Sequence, residues 1–413
     1  MTLKMPKCAT GLAGLLLCAI PIASAQSGAA KAEGERVSSV APFKAHVPDA
    51  VLDDLRRRLL EARWPDQLPG AGWEYGADIG KVRELAEYWR TQYDFRAFEA
   101  RLNRLDQFTT EIDGERIHFI HERSPRPDAI PLLLIHGWPG SVIEFMSLVE
   151  ELTNPKDQTS PAFHVVIPSL PGFGFSGPTR SRGWGPQRMA KALAALMGRL
   201  GYSKYGVQGG DWGSTIALDI PPVAPDSVIG IHVNLLAVQP PTPSAFSEMS
   251  ADERRRFSGF WDEGGAFFAL QAREPQTLAY GLGDSPVGWL AWTTMKFQDL
   301  VDHDGDFLHT IDRDTFLDNV TLYWVTGTVG SSMRIYRENR LVGRDRDAPR
   351  FNTPVGYAVF PREAVASPLR WIEAKYNLVQ TTDMPRGGHF AALEQPDLFL
   401  RDLRRFFLKV GAR

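Results

Sequence analysis

Cysteine is scarce in this sequence: the chain has 2, Cys8 and Cys18, both near its beginning. Beyond that point neither a disulfide framework nor thiol chemistry is available. An excess of one charge is missing too. With a net charge of −3 and acids and bases interspersed, the chain has no basic stripe for nucleic acid, and nucleic-acid binding is not expected. The apolar stretch from about Ala9 to Ile22 contains Pro21 and is shorter than the roughly 20 residues a membrane-spanning helix needs. Lys4 and Lys7 precede it and Ala23-Ser24-Ala25 follows, which is the layout of a secretory signal cleaved after Ala25. Residues 1–25 are therefore expected to be removed, and the mature protein to be secreted or periplasmic, cysteine-free and without stable membrane insertion. An uncleaved anchor is the second reading.

What remains is long for one ordinary core, so a large α/β domain with an appended unit is the prior. Residues 26–37 read as a flexible leader. Residues 38–106 carry helical patterns and no cluster of titratable groups, and are expected to form a helical meander. In the first of its helices Val51, Leu55, Leu59 and Leu60 are expected on one face, with Arg56, Arg57 and Arg58 solvated. A hairpin turning at Asp113-Gly114 opens residues 107–238. Strands at Ile130–Ile135, Phe163–Ile167, Tyr205–Gln208 and Val228–Asn234 then alternate with helices, including one from Ser141 to about Leu152. That alternation specifies a mostly parallel sheet with crossover helices. Residues 239–345 break it with a helical insertion dense in aromatics, among them Phe260, Trp261, Phe267, Phe268, Trp289 and Trp292. An insertion of this length between two strands is expected to cover the active site. Residues 346–413 resume the pattern with two strands and a closing helix.

The chemistry centres on Gly209-Gly210-Asp211-Trp212-Gly213, where an apolar run goes straight into a helix start. This is the layout of a nucleophile elbow with Asp in place of Ser. Gly209 and Gly213 leave room where a sharp strand-to-helix turn forces backbones together, and Asp211 is pushed out above the sheet edge. In an α/β-hydrolase sheet the acid and the histidine follow the nucleophile at later strand ends. Gly387-Gly388-His389 follows the last strand and Glu363 the one before it; Asp383 and Glu394 are rival carboxylates for His389. The backbone N–H groups of Trp138 and Trp212 are the expected oxyanion hole, with Trp138, Phe173 and Phe267 in the substrate pocket and His136 holding its loop.

An Asp nucleophile narrows the reaction. Attack on an sp³ carbon gives an ester that His389 can hydrolyse by activating water, so the substrates are epoxides or alkyl halides. An epoxide needs an acid for its alkoxide, and a lid tyrosine suits that role. No metal or cofactor is required.

His136-Gly137-Trp138-Pro139-Gly140, Gly209-Gly210-Asp211-Trp212-Gly213, Arg334-Ile335-Tyr336-Arg337-Glu338-Asn339 and Arg386-Gly387-Gly388-His389-Phe390 resemble the microsomal and juvenile-hormone type of epoxide hydrolase. Arg63-Trp64-Pro65-Asp66 is similar to part of that family's N-terminal domain. The resemblance implies an α/β-hydrolase fold, a small apolar epoxide as substrate with water, Asp211 as nucleophile, His389 as base, Glu363 as its partner and Tyr336 as ring-opening acid. One position departs: a second lid tyrosine of the family, in a Gly-Tyr-x-x-Ile-Gln setting, corresponds to Phe267 in Ala266-Phe267-Phe268-Ala269-Leu270-Gln271. Tyr336 would then act with one donor fewer, or Tyr280 would reach in. The alternatives are a haloalkane dehalogenase, in which the Trp138 and Trp212 indoles serve a halide, and a catalytically silent binding protein.

Overall fold

The computed structural model describes residues 39–259, 265–342 and 351–411. The expected signal and leader, and the lid aromatics Phe260 and Trp261, lie outside the described residues. The strands are β1 (Ala41–Phe43), β2 (Gln107–Ile112), β3 (Glu115–Glu122), β4 (Ile130–Ile135), β5 (Phe163–Pro168), β6 (Tyr205–Gly209), β7 (Val228–Val233), β8 (Pro354–Val359) and β9 (Asn377–Asp383). They form one sheet in the order β1-β2-β3-β5-β4-β6-β7-β8-β9. The first four in that order are antiparallel and the rest parallel, which is the α/β-hydrolase arrangement expected from the alternation. The hairpin turns where expected, with positive φ at both Asp113 (53°) and Gly114 (78°), as a tight two-residue turn requires.

Three local expectations need correction. Strand β1 was not foreseen, because three residues with an exposed–exposed–intermediate pattern carry no alternation to read. In the helix Asp49–Leu60 the buried residues are Leu52, Leu55 and Leu59, whereas Leu60 is 69 % exposed. Steps of three and four residues keep one face toward the core, and Leu60 follows Leu59 around to solvent. The helix expected from Ser141 to Leu152 is two short segments, Ile143–Met146 and Val149–Thr153. Between them the Leu148 N–H bonds the Phe145 carbonyl, a tightening that ends the first segment.

The closing helix Pro396–Gly411 lies against the sheet so closely that a Cβ at Gly230 or Gly356 would press into the Phe406 ring. The lid occupies the connection from β7 to β8. Its helices include Ala251–Gly259, Ala266–Arg273, Pro275–Leu282, Pro286–Leu300, Arg313–Val325 and Arg334–Val342. The N-terminal helices brace it: Trp89 Nε1 donates to Thr321 Oγ1 at 2.8 Å and the Tyr93 hydroxyl to Asp318 at 2.8 Å, both on Arg313–Val325. Arg58 also reaches the lid, at Asp284, while Arg56 and Arg57 pair with acids of their own helix as a solvated face should.

Candidate active site

Strand β6 ends at Gly209 and the next helix starts at Trp212, so the chain must reverse within the Gly210-Asp211 step. Asp211 takes φ 50° and ψ −126°, a region that non-glycine residues rarely enter and that persists where the surroundings impose it. Those surroundings are on either side of it. A Cβ at Gly209 would collide with the Gly213 carbonyl, and one at Gly213 with the Ile135 carbonyl at the end of β4. The turn therefore has no alternative packing, and it aims the Asp211 carboxylate at the loop after β4. A Cβ at Gly137 in that loop would collide with Asp211 Oδ1, so glycine is what lets the loop close over this carboxylate. The Trp138 N–H donates to Asp211 Oδ1 at 2.8 Å, and the Trp212 N–H also stabilises the carboxylate.

The loop that carries Trp138 is fixed from both sides. His136, fully buried, faces the Gly137 carbonyl through Nδ1 at 2.9 Å and accepts the Leu170 N–H on Nε2 at 3.2 Å. Burial lowers its pKa to about 4, so it is a neutral tether and holds its loop as expected. From the lid helix Arg313–Val325, Asn319 donates to the Pro139 carbonyl at 2.6 Å and Tyr323 to the Gly140 carbonyl at 2.5 Å. The N-terminal helices hold that lid helix in turn.

His389 follows β9 with its Nδ1 2.6 Å from Glu363 Oε1 and its Nε2 3.7 Å from Asp211 Oδ2. Glu363 is the carboxylate that reaches the histidine. Asp383 ends β9 on an exposed position, and Glu394 instead accepts the N–H groups of Asp302, Gly388 and Phe390, stiffening the loop that presents His389. Burial disfavours a charged imidazole, but the Glu363 and Asp211 carboxylates outweigh it and push His389 up to about 10. Burial raises the pKa of Asp211, against the pull of His389 and the two backbone donors.

These groups border a cavity of about 180 Å³ whose wall includes Trp138, Trp212, Phe267, Phe268, Leu300 and Tyr336. Tyr336 comes from the lid helix Arg334–Val342; its ring stands edge-on to Trp212, with centroids 4.8 Å apart, and to Trp138 at 5.8 Å. Phe267 stacks on Trp138 at 5.4 Å. Two expectations fail here. Phe173 does not line the cavity: between Gly172 and Gly174, both at positive φ, its ring turns into the core against His136 at 5.4 Å and Tyr323 at 6.2 Å. Tyr280 is 74 % exposed and does not reach in.

Nothing in the sequence pattern singles out Glu144, which folds back over Gly140, where a Cβ would collide with its carboxylate. Burial pushes it up to about 8, with the nearby Asp211 charge adding to the rise and His389 and the Gly137 N–H opposing it. Gln271, wholly buried, was also missed as a site residue; its legible signals are its match to the Gln of the Gly-Tyr-x-x-Ile-Gln setting and its place one helical turn after Phe267.

The chain has clear relatives among known proteins. Residues 40–145 match the family model described as epoxide hydrolase N terminus, and residues 130–263 the one described as alpha/beta hydrolase fold. The chain is 34 % identical to epoxide hydrolase 1 of Sus scrofa, over 89 % of this chain and 88 % of that protein. The solved structure of juvenile hormone epoxide hydrolase from the silkworm Bombyx mori superposes with a TM-score of 0.85 at 30 % identity, covering 91 % of this chain and 95 % of the other. That of an Aspergillus niger epoxide hydrolase gives 0.81 at 34 % identity, covering 90 % and 97 %. With its N-terminal domain, its fold and most of its length matched in this way, the chain belongs to the epoxide hydrolase family.

Proposed function

We propose that this epoxide hydrolase opens an apolar epoxide to a vicinal diol in two steps, through an ester on Asp211. The observation that carries the reading is the opposition of Asp211 and Tyr336 across one cavity, with His389 and Glu363 behind the carboxylate. Asp211 Oδ1 is occupied by the Trp138 N–H, which leaves Oδ2 to attack an epoxide carbon. The carbon–oxygen bond breaks, its electron pair stays on the oxygen, and Tyr336 supplies the proton. Burial first, and then the Asp211 charge, hold the phenol well above its ordinary pKa, so it keeps its proton until an alkoxide develops.

Alkylation removes the Asp211 charge, one of those that hold His389 protonated. The imidazolium then returns a proton to Tyr336 and becomes a base. Neutral His389, oriented by Glu363, takes a proton from water whose oxygen adds to the Asp211 carbonyl carbon. The oxyanion forms at Oδ1, where the Trp138 and Trp212 N–H groups already point, and costs little reorganisation. Collapse expels the diol oxygen, which takes the proton from His389; the regenerated carboxyl returns its own to the imidazole. Both the family match and the Tyr336 hydroxyl favour epoxide over haloalkane, since a departing halide needs no proton.

A His389→Gln variant should stall as the ester. In a single turnover with a styrene-oxide-like epoxide, intact-protein mass should rise by the mass of the substrate and stay raised, and Asp211→Asn should show no adduct. No adduct with any epoxide, but one with a haloalkane, would overturn the reading. Residues 1–25, on their sequence pattern, are proposed to direct export and to be cleaved after Ala25; a mature N-terminus other than Gln26 would contradict this.

A further inference from the structure

Among the described residues the ring-opening side of the cavity presents one phenol, because the lid residue stacked on Trp138 is Phe267 and has no hydroxyl. One helical turn on, Gln271 is fully buried and shares the inner face of Ala266–Arg273, the lid helix packed against the one that carries Tyr336. Its amide is oriented: Trp292 Nε1 donates to Oε1 at 3.2 Å, which turns Nε2 the other way. Among the described residues that Nε2 has no hydrogen-bond partner, and neither has the buried Trp212 Nε1, whose indole stands edge-on to the Tyr336 ring with centroids 4.8 Å apart. Burial and the Asp211 charge raise the Tyr336 pKa, while the Trp212 and Gln271 side chains both act on its hydroxyl in the opposite direction, toward the anion. Buried N–H groups left without partners are costly, and two of them on elements packed against Tyr336 call for a charge that appears only during turnover.

We infer that Gln271 Nε2 and Trp212 Nε1 are positioning donors to the Tyr336 oxygen, which direct its proton at the epoxide and hold the phenolate formed when the ring opens. The inference deepens the reading of Tyr336 as the acid and depends on it. With both donors on the phenol oxygen, its O–H hydrogen is turned toward the substrate. After transfer, the negative charge sits between two N–H groups already in place, until the imidazolium returns the proton. A single phenol thus opens the ring without a second one beside it.

The test is the rate of Asp211 alkylation, followed by rapid quench and intact mass, in the wild type, Gln271→Met, Tyr336→Phe and the double variant. Gln271→Met keeps the length of the side chain and removes the donor. Its alkylation should slow roughly ten- to a hundredfold, the worth of a donor to a charged oxygen, while hydrolysis of the ester once formed keeps its rate. In the Tyr336→Phe background the same change should cost nothing further, because the oxygen it serves is gone. Gln271→Glu keeps the acceptor for Trp292 and adds a signature that packing alone would not give: alkylation should be faster at low pH, where the carboxyl can donate, and fall as it ionises. Losses that multiply in the double variant, or a Gln271→Met effect confined to ester hydrolysis, would overturn the inference while leaving Tyr336 as the acid. Full-rate alkylation by Tyr336→Phe alone would remove the acid, and the inference with it. Near-ultraviolet circular dichroism on each variant separates these outcomes from misfolding.

Discussion

The two sides of the cavity are built by different means. On the sheet side, Asp211, His389 and the Trp138 loop stand on strand ends, where backbones approach so closely that side chains are excluded at Gly137, Gly209 and Gly213. Geometry there follows from the main chain. On the lid side, Tyr336, Phe267, Phe268 and Gln271 project from helices, and their placement depends on ring packing and on one amide held by Trp292. The sheet side carries charges that must be fixed before substrate arrives, and rigid elements hold them best. In the proposed mechanism the lid side meets charge only when the ring opens, and its apolar wall can differ in residue identity without disturbing Asp211. Conservative changes should therefore affect the two sides differently.

The largest effect on the lid side is expected from Tyr336→Phe. Losing the general acid should slow alkylation by on the order of 10² to 10⁴, with ester hydrolysis unchanged. Stopped-flow quenching of tryptophan fluorescence can follow the two phases separately, and an equal loss in both would merge the roles of the two sides. On the sheet side a single methyl group should act through folding. Gly213→Ala presses a Cβ against the Ile135 carbonyl, backbone against backbone, and is expected to cost roughly 1–3 kcal/mol in denaturant midpoint and slope. Unchanged stability would show that the elbow can relax and that the contrast drawn above is too sharp. The smallest effect should come from Phe267→Tyr. A second hydroxyl facing the cavity should raise the alkylation rate by roughly two- to tenfold, the worth of one added hydrogen bond, and leave the melting temperature nearly unchanged. A slower rate would mean that the stack of Phe267 on Trp138, rather than the missing donor, governs this wall.

Legibility in the sequence divides along the same line. The elbow and the alternation of strands and helices could be read because sterics at a strand-to-helix turn dictate residue type within five consecutive positions. The hairpin was equally plain, because positive φ at two adjacent residues selects Asp-Gly. Strand β1 and the break near Leu148 escaped, since segments of a few residues carry too little periodicity. In the site, Phe173 was expected in the pocket, but the backbone at Gly172 and Gly174 turns it inward. Gln271 and Glu144 were missed because a lone Gln or Glu on a helix looks like a solvated residue until its surroundings are known.

Alone, the sequence determined the proposed nucleophile, the histidine beside it and the order of the elements that bring them together, because these depend on local backbone constraints and on the period of apolar residues. Only the tertiary structure decided which of three carboxylates partners His389, which lid aromatics reach the cavity, and that the N-terminal helices steady the Trp138 loop through Arg313–Val325. Those choices join residues far apart in the chain, and only burial and packing, which act between surfaces and not along the backbone, can select among them.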